Sequence, residues 1–293
     1  MAAQIISIMA PVLLISLVGY GWDRYRLPFN SEMVTLLVTN VAAPCLVVSA
    51  LMASRPDPII MAKMATAAAM VVSMSGVIGF LVLRVLRLPL RVYLPALIFP
   101  NAGNMGIPLC LFTFGEIGLS LGVAFFATVA LLQFTIGLAV ASGKFALRFF
   151  LRNPLLWAFC ICIFLLLTGL TLPIWLFNTV DLLGGLAIPL LLLSLGMSLS
   201  RLWGKPIGQS FILAAFRLGI GFAVGCLVAQ VLGLEGPLRG AVIILSTMPA
   251  AIINYMFAIR YENRPTEVAG VVVVSTMLSF VTLPFLLAFV LGY

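Results

Sequence analysis

The chain contains no histidine and only 8 acidic residues in 293. Without an imidazole there is no histidine general base and no Cys/His zinc site. The eight carboxylates, Asp23, Glu32, Asp57, Glu116, Asp181, Glu235, Glu262 and Glu267, all fall at or near the ends of apolar runs. None stands where cation antiporters keep an intramembrane carboxylate as proton relay or ion ligand. With no central carboxylate pair and no serine–lysine dyad, catalysis has no agent, and an enzyme is not expected. No metal and no cofactor is called for. The five cysteines, Cys45, Cys110, Cys160, Cys162 and Cys226, are odd in number and lie inside apolar runs, so they read as small packing residues rather than a disulfide framework. A basic stretch ahead of the first apolar run, Gln4 to Gly21, is missing too; Arg24 and Arg26 follow it instead. That order is the reverse of a cleaved secretory signal.

What the chain has is apolar surface. Hydrophobic residues make up 63%, charged residues 8%, and the mean hydropathy is +1.26. Soluble domains are about half apolar and a quarter charged. Roughly 20 apolar residues cross a bilayer as a helix. Runs of that kind fall near 4–22, 32–52, 61–83, 92–113, 117–141, 154–172, 178–199, 208–232, 238–259 and 265–291, leaving short loops and no room for a separate soluble domain. An all-α membrane protein of ten transmembrane helices is expected. The net charge of +8 is scattered singly or in pairs at run ends, which excludes a nucleic-acid face and suits contact with membrane lipids.

Twelve Lys and Arg residues follow odd-numbered runs (Arg24, Arg26, Arg84, Arg87, Arg91, Lys144, Arg148, Arg152, Arg201, Lys205, Arg260 and Arg264), against three after even-numbered runs (Arg55, Lys63 and Arg239). The positive-inside rule then puts odd loops in the cytoplasm and both termini outside. The halves also match each other. Residues 42–54, AAPCLVVSALMAS, resemble 187–200, AIPLLLLSLGMSLS, and 123–137 lie over 270–284. Two units follow, 1–143 and 144–293, each of five helices. Five is odd, so the second starts from the opposite side: an inverted repeat, a device of secondary transporters.

The fourth run, Tyr93 to Phe112, contains Pro95, Pro100, Gly103, Gly106 and Pro108. A continuous helix is not expected there. At an offset of 146 it maps onto Ile244 to Phe257, with Asn101 on Thr247, Gly103 on Pro249 and Pro108 on Asn254. Broken backbone at membrane depth is tolerated where it lines a cavity or is buried in protein, and paired breaks point to a transporter's binding site. The candidate binding residues are therefore Asn101, Asn104, Pro108, Ser246, Thr247, Pro249 and Asn254. Their polar groups either bind substrate or satisfy the freed backbone, and the two roles are compatible.

The stretches NAGNMGIPLCLFTFGEIGLSLGVAFF and LLQFTIG, with STMPAAIINYMFAIRYENRP and VVVVSTMLSFVTLP, resemble the auxin efflux carrier family. Its bacterial members are often called malate permeases, and the resemblance runs end to end. It implies two inverted five-helix repeats, a scaffold of helices 1, 2, 6 and 7, and a transport part of helices 3–5 and 8–10. Helices 4 and 9 would cross at their breaks and hold a small organic anion, a carboxylate or auxin-like acid. The transport part would move as an elevator in a bacterial inner membrane. A homodimer is expected. One departure is Asn254, where a plant carrier would have proline, so the second break is expected either to centre on Pro249 or to be differently shaped. Two further residues join the candidate site. Gln133 either bonds substrate or a neighbouring helix, and Arg217, the one basic residue within a run, either attracts an anion, reaches the headgroups or pairs with Glu262 or Glu267. The competing reading is a membrane-embedded sensor of a lipid or metabolite.

Overall fold

A computed structural model describes residues 2–143, 154–202 and 208–292, and its regular structure is helical. Lys144, Arg148, Arg152 and Lys205 lie outside those residues. Seven helical stretches among them are long and apolar enough to cross a membrane, and Pro154–Thr168 is a shorter apolar helix.

Helix α1 is Ala2–Arg24. Helix α2, Ser31–Leu37, continues through a π-helical turn, Val38–Ala42, into α3, Ala43–Ser54. Helix α4 is Pro58–Val85 and α5 is Leu90–Ile98. A second π-helical turn, Ala102–Gly106, opens α6, Ile107–Leu132, and a third, Gln133–Gly137, joins it to α7, Leu138–Ser142. The remaining helices are α8, Pro154–Thr168; α9, Ile174–Gly184; α10, Ala187–Leu202; α11, Gly208–Val231; α12, Gly236–Thr247; α13, Ile252–Arg260; and α14, Pro265–Leu291.

Local chemistry sets many of these limits. Asn30 Oδ1 accepts the Met33 N–H at 2.9 Å to start α2. Asp57 Oδ1 accepts the Ile59 N–H at 2.7 Å to start α4, with Pro58 in the first position, where its missing N–H costs nothing. Two of the π-helical turns have a proline just beyond them: Pro44 follows Val38–Ala42, and Pro108 follows Ala102–Gly106. Proline has no N–H for the carbonyl four residues back and its ring crowds that carbonyl. Widening the preceding turn relieves the clash, so that Ile107 donates to the Ala102 carbonyl.

The stretch from Ala102 to Ser142 is 41 residues long, yet Gly115 has φ 65° and ψ −150° inside it. Only glycine adopts that conformation readily. It kinks the helix there, between the apolar runs 92–113 and 117–141. A Gly115→Ala variant should lose about 1–3 kcal/mol and melt at lower temperature when purified. An unchanged melting temperature would show that the kink tolerates a side chain.

Packing sorts the helices. Helix α1 lies on α10, α3 on α8 and α9, α4 on α5 and α6, and α11 on α12 and α14. The α1–α10 pair is held at backbone distance: a Cβ on Gly196 would stand 1.8 Å from the Ser16 carbonyl oxygen, and one on Gly19 would stand 2.1 Å from that of Leu193. Small residues at such positions allow close helix approach in membranes, where apolar burial gives no drive.

A cavity beside two crossed, broken helices

The breaks follow from their prolines. A residue before proline is pushed out of the helical region. Phe99, before Pro100, has ψ 111°, and Met248, before Pro249, has ψ 149°. Helices α5 and α12 stop there. The two extended segments then meet antiparallel, with Pro100 opposite Ala250. Asn101 donates its N–H to the Pro249 carbonyl at 2.7 Å, and Ala251 donates to the Phe99 carbonyl at 3.1 Å. The Ala250 N–H finds Ser275 Oγ on α14 at 3.1 Å. So the backbone groups freed by each break are largely satisfied by the other break, as a low-dielectric setting requires.

The register of the pair differs from the sequence expectation. Ile98 and Thr247 end the first half-helices, and Ala102 and Ile252 begin the second. The offset of 146 is three or four residues short of that. Apolar residues match one another at almost any register, so the run pattern could not fix it. Asn104, not Pro108, is the counterpart of Asn254: each is the third residue after its break.

A cavity of about 460 Å³ opens beside the crossing. One wall is Pro100, Asn101, Gly103, Asn104, Ala251, Ile252 and Ile253, with Phe126, Gln133 and Phe134 of α6 and its π-helical turn. Phe29, Thr35, Thr39, Leu155, Ser194, Ser198 and Arg201 stand on the other. All three π-helical turns contribute, through Val38 and Thr39, Gly103 and Asn104, and Gln133 and Phe134. The leading residues of α13 and of the Ala102–Gly106 turn lie on the wall, and the first N–H groups of a helix have no partner within it. Two positive helix ends therefore face one cavity, an arrangement that favours an anion.

The nine candidate residues separate into groups. Asn101, Asn104 and Gln133 line the cavity. Asn101 is 4% exposed and its Nδ2 has no hydrogen-bond partner among the described residues. Gln133 also does what interhelical bonding predicts, donating Nε2 to Asn254 Oδ1 at 3.0 Å. Asn254 sits behind the wall and donates its own amide to the Phe99 carbonyl at 3.4 Å. Pro249 is part of the backbone crossing, and Pro108 is buried in the first turn of α6, where it shapes the turn that carries Asn104.

Ser246 and Thr247 bond back to the Ile243 carbonyl of their own helix, at 3.1 and 2.6 Å. Thr247 faces a different, apolar groove of about 400 Å³ between α11 and α14. Arg217 lines neither space. Its side chain is fully buried and donates Nη2 to the Ser246 carbonyl at 2.9 Å, at the end of α12 where the helix dipole is negative. It reaches neither headgroups nor Glu262 or Glu267. Glu267 instead accepts from the Tyr93 phenol of α5 and pairs with Arg264 at 3.5 Å.

The sequence reading missed Thr35, Thr39, Ser194, Ser198 and Arg201 on the facing wall. The signal was available: 35 and 39, and 194, 198 and 201, are spaced to share one face of a helix otherwise rich in apolar residues.

Apolar spans, breaks at membrane depth and a part-polar cavity beside them define a polytopic helical membrane protein built around an internal site. The chain belongs to the family described as membrane transport protein, which matches residues 4–146 and 138–287. The resemblance to auxin efflux carriers is thereby borne out. The chain is similar to an uncharacterised transporter of Methanothermobacter thermautotrophicus, 30% identical over 192 residues and 63% of each chain. It is also similar to an uncharacterised transporter of Methanocaldococcus jannaschii, 26% identical over 200 residues, covering 62% of this chain and 63% of the relative. The chain thus spans 63% of the length of the curated relatives it matches.

Proposed function

We propose that the protein is a secondary transporter carrying a small organic anion, a carboxylate or auxin-like acid, across the cytoplasmic membrane. The observation that supports this most is the cavity: two helix N-terminal ends, Asn101 and Asn104 face it, and no carboxylate lines it among the described residues. In this reading the chain crosses the membrane ten times as two inverted halves, with both termini outside, as the 12 to 3 division of Lys and Arg supports. Helices α4–α7 and α11–α14 form the moving part, and α1–α3 with α8–α10 form the fixed part, which dimerises with a second copy. The cavity lies between the two parts, so a substrate held on the crossing rides with the moving one, in the manner of an elevator.

The test is uptake by proteoliposomes of a radiolabelled panel including malate and indole-3-acetate, against empty liposomes. Saturable uptake of at least one anion is expected. Binding of an anion without uptake would support the sensor instead, and indifference to every anion would remove the carrier reading.

A further inference from the structure

Arg201 entered the sequence reading only as one of the cytoplasmic charges. In the fold it ends α10 and lines the cavity opposite the crossing. Its Nε donates to Asp23 Oδ1 of α1 at 2.7 Å. The two helices that carry this pair are interlocked at Gly19 and Gly196, so the guanidinium is presented from a rigid base. Asn101 faces the same cavity, buried and with an amide nitrogen that has no partner among the described residues.

We propose that Arg201 is the docking cation for the anionic group of the substrate, with Asp23 as the resident counter-ion that the substrate displaces. This rests on the organic-anion reading above. The Arg201 side chain is 47% exposed and that of Asp23 is 18% exposed. Water reaches the half-exposed guanidinium and screens its side of the pair, so a second carboxylate can approach it from the cavity. A guanidinium matches the fork of a carboxylate with two parallel N–H donors. The remaining wall suits an apolar or aromatic body: Phe29, Phe126, Phe134 and Tyr255 lie around the cavity. The site would therefore take an acid with one charged end and an apolar remainder. Because Arg201 belongs to the fixed part, it would act only while the crossing faces it, and the charge would be handed on to Asn101, Asn104 and the helix ends.

The experiment uses the full-length purified protein with 1-naphthoate as probe and 1-naphthamide as its neutral twin. Arg201→Gln should weaken naphthoate binding by about tenfold, the scale of one lost charge-assisted contact, and leave naphthamide unchanged. Arg201→Lys should recover part of the loss. Asp23→Asn, which removes the competitor, should tighten naphthoate binding by about threefold. Melting curves for each variant check that the fold is kept. Equal naphthoate affinity in wild type and Arg201→Gln would overturn the assignment, as would an equal loss for both probes. Wild type that fails to bind naphthoate while transporting some other anion would overturn it too, leaving the carrier reading intact. Wild type that moves no anion at all would count against that reading instead.

Discussion

Asn104→Ala and Asn101→Ala are expected to weaken binding of the transported anion by about tenfold to a hundredfold each, since a hydrogen bond to a charged group is worth roughly 1.5–3 kcal/mol. Both side chains line the cavity, and the Asn101 amide has no other partner among the described residues. Asn254→Ala should behave differently. Its side chain accepts from Gln133 and donates to the Phe99 carbonyl, so its removal leaves buried groups unsatisfied and loosens the crossing. Affinity and melting temperature should then fall together, whereas for Asn104 affinity alone should fall. Titration calorimetry with an identified substrate, alongside thermal melts, separates the two. Wild-type affinity in both Asn101→Ala and Asn104→Ala would place the site elsewhere.

The second large effect concerns assembly. Gly196→Val is expected to prevent the fold from forming. Its Cβ would lie 1.8 Å from a main-chain oxygen of α1, which cannot swing aside as a side chain can. Overpacking commonly costs about 1–3 kcal/mol, and a clash with backbone belongs at or beyond the top of that range. Gly21→Ala is the control, on the same α1 but with no other element among the described residues within 4 Å of the new methyl. Gel filtration of detergent extracts should show a monodisperse peak for the control and none for Gly196→Val. A normal peak for Gly196→Val would mean that α1 and α10 can separate.

Much of this fold is written in the sequence because a bilayer sets few and coarse rules. Runs of apolar residues give the helices, and Pro100 and Pro249 give the two breaks, since proline acts locally and needs no tertiary partner. The presence of Asn101, Asn104 and Gln133 at the cavity could likewise be anticipated, polar groups at membrane depth being rare and costly. What could not be read was which polar group faces which neighbour. Ser246 and Thr247 look like ligands in the sequence, but each satisfies itself on its own helix. Asn254 bonds to Gln133 across 121 positions, a pairing set by how α6 meets α13. The register of the breaks was missed for a similar reason: it depends on residues inside an extended segment, where hydrophobic pattern carries no count. Arg201 was overlooked because its place at a helix end reads as topology.

The buried guanidinium of Arg217 has a consequence for how voltage acts. No carboxylate pairs with it among the described residues, so the crossing holds a standing charge of one sign. On the proposed carrier reading, a monovalent anion carried with the moving part would offset that charge, and an empty moving part would keep it. An elementary charge moved through the full membrane field is worth about 2.3 kcal/mol per 100 mV. On that reading the membrane potential would act little on the loaded passage. It would act instead on the empty return, and so would set the pace at which the protein becomes available again.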